Sequence, residues 1–352
     1  MHSRSRSLRV ADPALSGPLL VPSVSSKGFP LVEGVSEAGL LAQSVGQDLT
    51  KALLVSAYDL HHRLLPDAER LLGSSFNETM YATPALLIVD SGGYELNTTN
   101  FEAGETRRDP YVSRPYGRMD FEAVADALPK DRHVMLVSYD EPVRAGDPSS
   151  ARAGYRGQRE QAQEFFAERP WFRSDFLIKP EGLNAYLDMR ALTAEVEDLR
   201  VFDVVGVTEP ELGGTLLDRL AALASLRALL DGGGCAHVPI HIFGCLDPVL
   251  TPLYFMAGGE IFDGLSWLRY AYIDNVSVHP EQLAVLTGRS DEGEQIRNLR
   301  RLMSNLDQLG KLHHSLARWH AEPDRYDHLG LQSERLREIY DNMRAQLAQR
   351  GQ

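Results

Sequence analysis

The chain has 352 residues, of which 43% are hydrophobic and 24% are charged, and its formal net charge is −13 at pH 7. This composition is typical of a soluble globular protein with one large domain or two smaller ones. It excludes a surface that is basic all over, so a nucleic acid partner would have to bind a local positive patch. No apolar run approaches the roughly 18 residues that span a bilayer, and the Arg-rich start lacks the apolar middle of a secretion signal, so we expect a cytoplasmic protein with no membrane partner.

Short apolar runs alternate with amphipathic stretches after residue 15. Eight runs are predicted strands: Leu19–Val24, Ala52–Ala57, Leu86–Val89, Val134–Tyr139, Phe176–Lys179, Phe202–Val207, Val238–Phe243 and Glu260–Leu265. The predicted helices are Glu37–Val45, Asp67–Leu72, Phe121–Ala127, Arg156–Phe166, Leu183–Ala194, Glu211–Leu230, Pro248–Ala257 and Pro280–Leu286. Eight βα units in one chain favour an α/β fold of the (β/α)8 TIM barrel type over an open doubly wound sheet.

The pattern divides the chain into three parts. Residues 1–15 form a predicted flexible arm, and residues 16–290 form the predicted barrel. Residues 291–352 form a predicted C-terminal helical extension, because their apolar residues recur at helical spacing.

Carboxylates follow several of the predicted strands. Asp90 ends the run Leu86–Val89, Asp140 follows the fourth strand, and Asp263 lies toward the carboxyl end of the last. In a TIM barrel the carboxyl ends of the strands carry the active site. A pair of carboxylates across a barrel mouth can act as nucleophile and general acid/base, so the residues indicate substitution at a sugar anomeric carbon.

Metal-ligand residue types also cluster in one segment, which holds Cys235, His237, His241 and Cys245. If this segment is a strand, Cys235 and Cys245 are about 33 Å apart at roughly 3.3 Å per residue, too far to share one ion. The two cysteines cannot form a disulfide framework either. We therefore predict no metal and no organic cofactor.

Arginines cluster in two stretches that could form the local positive patch. The long connection Asn97–Met119 contains Arg107, Arg108, Arg114 and Arg118, and the first helix of the extension contains Arg297, Arg300 and Arg301. Loops of this length are uncommon unless they bind or cover something. The alternative is that these arginines form ordinary solvated faces.

Four motifs in order resemble those of the tRNA-guanine transglycosylases. VDSGGYE (89–95) is similar to the DSGGFQ motif of that family, and VSYDEP (137–142) to its FDECTP segment. VVGVTEPE (204–211) is similar to its GGLAVGE loop, and the stretch 241–269 to its closing segment with FDCVLPTR. The family consists of (β/α)8 barrels that exchange a guanine in nucleic acid for a 7-deazaguanine base.

The resemblance implies a role for each matching residue. Asp263 would be the nucleophile that attacks C1′, and Asp90 would be the general acid/base. Asp140 would read the guanine edge, Tyr94 would stack on the base, and Arg269 would contact a phosphate. The remaining residues of the implied base pocket are Ser91, Gly92, Glu95, Lys179, Gly206 and Glu211.

Departures from the family pattern affect the substrate. Glu95 and Lys179 stand where the family has glutamines, so the base pocket differs in charge. The zinc cassette of the tRNA enzymes is absent, since Asn275–Gln295 holds no cysteine. A branch of the superfamily inserts 7-deazaguanines such as preQ0 into DNA, and this zinc-free chain looks more like that branch.

Three functions remain open at this point. The first is a transglycosylase acting on DNA or, less favoured, on tRNA. The second is a non-catalytic partner subunit, and the third is a barrel hydrolase of a small glycoside or nucleoside. The sequence also leaves open whether the chain pairs with a second copy of itself or with a partner protein.

Overall fold

The computed structural model describes residues 18–49, 51–96, 111–143, 147–323 and 325–349. Eight strands in these ranges form a closed parallel barrel: β1 (Leu19–Val24), β2 (Ala52–Ser56), β3 (Leu86–Asp90), β4 (Val134–Val137), β5 (Arg173–Ile178), β6 (Val204–Thr208), β7 (Ile240–Phe243) and β8 (Ile261–Gly264). Each strand pairs with the next in sequence, and β8 closes the ring against β1. The predicted (β/α)8 barrel and its eight strands are confirmed.

Side chains fill the barrel interior at every second position of each strand. The apolar interior cluster consists of Leu19, Val21, Ala52, Leu54, Leu86, Ile88, Met135, Val137, Leu177, Val204, Phe243 and Ile261. The intervening residues pack outward against the helices in the main core. An inward position near the carboxyl end of six of the strands holds a polar residue. These residues are Ser23, Ser56, Asp90, Lys179, Thr208 and Asp263. The interior therefore changes from apolar to polar at one mouth.

Helices cover the outside of the barrel and extend beyond it. They are α1 (Glu37–Ser44), α2 (Ala57–His61), α3 (Ala68–Leu72), α4 (Gly93–Leu96), α5 (Arg118–Ala127), α6 (Tyr155–Ala167), α7 (Met189–Leu192), α8 (Leu216–Gly232), α9 (Leu250–Ala257), α10 (Ser266–Arg269), α11 (Pro280–Thr287), α12 (Glu294–Ala321) and α13 (Ser333–Gln349). Short 3₁₀ turns occupy Gly46–Asp48, Met80–Ala82, Pro148–Ser150, Thr193–Val201, Glu209–Leu212 and Tyr326–Gln332. No helix of the described ranges is long and apolar enough to cross a membrane.

Two of the predicted helices begin later than expected. The predicted helix Leu183–Ala194 is wrong over its first half, because the Asp188 carboxylate accepts hydrogen bonds from the backbone N–H groups of the next turn and starts α7 at Met189. The predicted helix Glu211–Leu230 begins only at Leu216, where the Thr215 hydroxyl accepts from the backbone N–H of Asp218. Local capping therefore set both boundaries.

The two C-terminal helices pack on the barrel. Arg301 and Asn305 of α12 are buried and bind the backbone of the segment 267–272, which follows β8. The buried Trp319 of α12 meets Phe255 of α9 edge to face at 6.0 Å between ring centroids. The helical character predicted for this part of the chain is confirmed. The predicted arm, 1–15, lies outside the described residues.

Candidate active site

Asp263 lies at the carboxyl end of β8 and is only 6% exposed. Its Oδ2 accepts a hydrogen bond from the Ser23 hydroxyl at 2.8 Å, and its Oδ1 accepts one from the backbone N–H of Gly244 at 3.0 Å. The carbonyl of Ser23 in turn accepts from the indole of the buried Trp267 at 2.8 Å. Both oxygens are therefore held in fixed positions by residues from neighbouring strands, as a positioned nucleophile requires.

Asp90 ends β3 and is partly exposed at the same mouth. Burial is the main cause that raises the pKa of Asp90 from 3.8 to about 7, and the negative charge of Glu95 is the second. A hydrogen bond from the backbone N–H of Gly92 has the opposite effect and lowers the pKa. A carboxyl group with a pKa near 7 can donate a proton to a leaving group and take one back at neutral pH. This is the property expected of a general acid/base.

A buried carboxylate cluster lies beside Asp90. Glu95 is 1% exposed and accepts hydrogen bonds from the hydroxyls of Ser25 and Ser56, at 2.5 and 2.8 Å. Asp59 is fully buried and accepts from the backbone and hydroxyl of Ser26. Burial raises the pKa of both groups. The structure thus places Glu95 as a buried neighbour of the acid, and it adds Asp59, which the sequence analysis did not single out.

The glycine pair after Asp90 is required by geometry at both positions. Gly92 has a positive φ of 93°, which non-glycine residues rarely adopt, and a Cβ there would lie 2.8 Å from Cβ of Tyr58. A Cβ on Gly93 would lie 2.6 Å from Oδ2 of Asp140. The pair therefore lets the chain turn and lets Asp140 approach from the next strand. Ser91 is buried, and its hydroxyl accepts from the backbone N–H of Asp140 at 3.2 Å.

Asp140 belongs to a network of four charged side chains. Its two oxygens lie 3.3 Å from Nη2 of Arg152 and 3.1 Å from Nζ of Lys179. Glu211 contacts the same two cations, at 3.8 Å from Arg152 and 2.8 Å from Lys179. The hydroxyl of Thr208 accepts a further hydrogen bond from Lys179. The structure thus brings Asp140, Lys179 and Glu211 together, as the motifs imply, and adds Arg152, which the sequence analysis missed.

A cavity of about 410 Å³ adjoins this network. Its lining includes Arg152 and Lys179 together with Tyr139, Gln158 and Phe176, but none of Asp90, Asp140 and Asp263. The volume is within the range of small-molecule sites in proteins. The cavity therefore lies beside the charged network, and it is not the barrel mouth that holds the three aspartates.

Tyr94 lies in a contact with two cations. The ammonium of Lys27, a fully buried residue, lies 4.2 Å from the centroid of the Tyr94 ring and donates to its backbone carbonyl at 3.1 Å. Arg269 donates to the Tyr94 hydroxyl at 3.1 Å and to the carbonyl of Lys27 at 3.2 Å. Stacking of Tyr94 on a base and binding of phosphate by Arg269 stay predictions.

His241 and Asp175 lie under the mouth, in the barrel interior. Nδ1 of His241 is 2.6 Å from Oδ2 of Asp175, and Nε2 is 3.3 Å from Oδ1 of Asp263. A Cβ on Gly206 of β6 would lie 2.8 Å from Oδ1 of Asp175 and 2.6 Å from the Phe243 ring, so glycine leaves space for both. The sequence analysis missed Asp175. Its only signal was an acidic residue at an inward position of an apolar strand.

The predicted positive patch is only partly described. Arg107 and Arg108 lie outside the described residues. Arg114 is exposed, whereas Arg118 pairs with Glu141 at 2.6 Å. Arg300 pairs with Glu292 at 2.8 Å, Arg297 is half-buried, and the buried Arg301 donates to the carbonyls of Leu268 and Tyr270.

The described residues do not fit a zinc ion. No group of three or more histidine, cysteine, aspartate and glutamate side chains in the described ranges is arranged to hold a metal. The region 275–295, which contains no cysteine, forms part of a short hairpin and α11. Both cysteines of the chain are buried and free of disulfides.

Comparison with known proteins points in the direction of the motifs. No protein-family profile matches the chain. Over 271 residues it is 24% identical to a curated tRNA-guanine(15) transglycosylase of Pyrobaculum aerophilum, an alignment that covers 75% of this chain and 48% of that protein. The chain thus spans about half the length of the curated relative it matches. The similarity supports a place in the tRNA-guanine transglycosylase superfamily.

Proposed function

We propose that this protein is a transglycosylase that exchanges guanine in nucleic acid for a 7-deazaguanine base such as preQ0. The observation that carries the proposal is the geometry of one barrel mouth. Asp263 is held there at both oxygens, and Asp90 has a pKa of about 7. These are the two groups that a double displacement at an anomeric carbon needs.

The reaction proceeds in two halves. In the first, an oxygen of Asp263 attacks C1′ of the nucleotide, the C1′–N9 bond breaks, and Asp90 gives its proton to the departing guanine. In the second, Asp90 takes the N9 proton of the incoming base, N9 attacks C1′, and the bond to Asp263 breaks. Two inversions retain the anomeric configuration. A base within a duplex must be flipped out for C1′ to be reached, and the open mouth of the barrel suits that.

Asp140 and its cations are the proposed base-recognition site. A carboxylate accepts hydrogen bonds from the N1 and exocyclic amine edge of guanine. Lys179 and Arg152 lie on either side of that carboxylate and can donate to acceptor groups of the same base.

DNA is the proposed nucleic acid, ahead of tRNA. The relative from Pyrobaculum aerophilum is named for tRNA. The segment 275–295, which takes the place of the zinc cassette of the tRNA enzymes, has no cysteine here. Because that cassette belongs to the part that braces tRNA, the absence of cysteines in this segment favours DNA.

The test is a trapping experiment without replacement base. The protein is mixed with a DNA oligonucleotide or with tRNA, run on a denaturing gel, and any shifted band is mapped by mass spectrometry. We expect an ester at Asp263 with DNA, no adduct with Asp263→Asn, and a normal adduct with the matched control Asp274→Asn, an exposed turn residue. Incorporation of labelled guanine and preQ0 into both nucleic acids is measured in parallel.

Each alternative predicts a different result. An adduct and incorporation with tRNA alone would make the protein a tRNA enzyme. A protein that binds nucleic acid but gives neither adduct nor incorporation would be the non-catalytic subunit. An adduct that maps to another residue, or full exchange by Asp263→Asn, would falsify the assignment of the nucleophile.

A further inference from the structure

Asp175 and His241 form a pair that is completely buried beneath Asp263. Both side chains have 0% exposure, and Nδ1 of the imidazole lies 2.6 Å from Oδ2 of the carboxylate. Asp175 comes from the middle of β5 and His241 from β7, so β6 separates their strands. At this position Gly206 of β6 has no side chain, and the pair meets across it.

The far side of the imidazole faces Asp263. Nε2 lies 3.3 Å from Oδ1, the oxygen that also accepts from the backbone N–H of Gly244. The Phe243 ring stacks on the imidazole with the centroids 3.8 Å apart, which fixes its plane. His241 therefore connects Asp175 to the proposed nucleophile, in an orientation set by its neighbours.

A purely structural role explains this arrangement poorly. Oδ1 of Asp175 is buried and makes no hydrogen bond within the described part of the chain. Leaving a polar atom buried without a partner lowers stability, and an apolar side chain would fill an inward position of β5 without that cost. Nε2 faces Asp263 at 3.3 Å, so the pair is oriented toward the reacting carboxylate.

We propose that His241, held by Asp175, is a positioning residue for Asp263 whose main effect is to speed release of the strand from the covalent intermediate. This inference rests on the proposed function. Burial lowers the pKa of His241, but Asp175 and Asp263 outweigh that effect and raise it to about 9. The imidazole is therefore protonated at neutral pH. Its Nε2 lies 3.3 Å from Oδ1 in a charge contact, although it makes no hydrogen bond within the described residues.

The electron balance explains why release benefits most. In the first half the ester forms through Oδ2, which accepts a hydrogen bond from the rotatable Ser23 hydroxyl, and Oδ1 becomes the ester carbonyl oxygen. In the second half the C1′–O bond breaks and its electron pair returns to the carboxylate of Asp263. A protonated imidazole 3.3 Å from Oδ1 stabilises that developing charge electrostatically. The proton stays on His241 throughout, so no proton transfer is required of the pair.

The test separates formation of the adduct from its discharge. Asp175→Asn and His241→Gln are loaded with an oligonucleotide in the absence of free base, and preQ0 is then added in a rapid-quench experiment. We expect discharge to slow by about 10- to 100-fold in both variants, with a much smaller change in the rate of formation, so that the adduct accumulates. The control is Asp203→Asn, because Asp203 accepts hydrogen bonds from the backbone and hydroxyl of Ser174 near the amino-terminal end of β5, away from the barrel mouth.

A second measurement needs no substrate. Proton NMR of the wild type should show a far-downfield imidazole N–H resonance from the short contact with Asp175, which His241→Gln abolishes and Asp175→Asn shifts. If the wild type forms an adduct but the variants discharge it at the wild-type rate, the inference is wrong while the proposed function stands. If the wild type forms no adduct with any nucleic acid, the proposed function fails and the inference with it. Should Asp175→Asn not fold, His241→Gln alone decides.

Discussion

Nζ of Lys179 lies 3.1 Å from Oδ2 of Asp140, so the carboxylate proposed to read the guanine edge is already ion-paired in the structure without a base. Arg152 occupies its other oxygen at 3.3 Å. A base that binds Asp140 must therefore share or displace these cations. The base-recognition site is thus preorganised in charge, and both Asp140 and Lys179 contribute to which base it accepts.

Replacing Asp140 with alanine should weaken binding of the free base. The donors of the guanine edge would lose a charge-assisted partner worth about 1.5 to 3 kcal/mol, or roughly 10- to 150-fold in affinity. Lys179 and Arg152 would retain Glu211 as a counter-ion. Calorimetric titration of guanine and preQ0 measures the effect, with Asp274→Ala as the control, since that aspartate is exposed on a turn away from the charged network. Unchanged affinity in Asp140→Ala would rule out its proposed role.

The rate of guanine release should fall as the pH rises through about 7. Asp90 must be protonated to donate to the leaving base, and its pKa of about 7 places its ionisation there. Glu95→Gln removes the nearby negative charge that contributes to this raised pKa, so the alkaline limb should move to lower pH. Single-turnover rates of adduct formation across the pH range measure the shift. Asp274→Asn, which changes an exposed aspartate on the turn after β8, should leave the profile in place.

A profile that stays the same in Glu95→Gln would contradict the coupling between the two carboxyl groups. A profile that is flat through neutral pH would exclude Asp90 as the proton donor. Asp90→Asn tests the proton donor directly. It should slow base departure at every pH while leaving substrate binding largely intact.

The fold could be predicted because the barrel strands are encoded locally. The run Leu86–Val89, for instance, is apolar on both faces, as buried parallel strands are, and β3 forms at that place. The helix predicted from Leu183 failed because its apolar residues are not core residues: Leu183 is 54% exposed and Tyr186 is 49% exposed. Periodicity indicates that a helix is compatible with the sequence, but packing and the Asp188 cap decide where it begins.

The candidate site was predictable only where function follows strand ends. Asp90, Asp140 and Asp263 stand directly after apolar runs, so their positions could be read from the sequence. Asp175 and Arg152 could not be found that way. Asp175 lies inside a strand, and its meaning depends on His241, 66 residues away in sequence. Arg152 comes from a loop whose path only the folded chain defines.

Binding of nucleic acid should weaken steeply with salt despite the net charge of −13. The local patch would include Arg114, which is exposed, and Arg297, which is half-buried. Reversing both to glutamate should lower affinity for all sequences and reduce the salt slope by about 2. The control double variant, Arg335→Glu with Arg344→Glu on α13, makes the same change in net charge elsewhere. Equal losses in both doubles would argue against a local patch, and an affinity insensitive to salt would favour the small-molecule hydrolase.

Asp90 should also make the protein less stable as the pH rises from about 4 to 7. Its pKa in the folded state is about 7, against an ordinary value of 3.8, so the folded state binds the proton more tightly than the unfolded state does. Below pH 4 both states are protonated and Asp90 has no penalty; between the two pKa values the unfolded state ionises first and the free energy of unfolding falls. Above about 7 the penalty is constant.

Because Asp90 is partly exposed, we expect Asp90→Asn to stabilise the protein by only about 1 to 3 kcal/mol at pH 8, and by much less at pH 4. Urea unfolding at both pH values measures this gain, with Asp274→Asn as the control for an exposed aspartate. An equal gain at both pH values would mean that Asp90 titrates in the folded protein as it does in the unfolded chain, and that its carboxyl is not tuned for proton transfer.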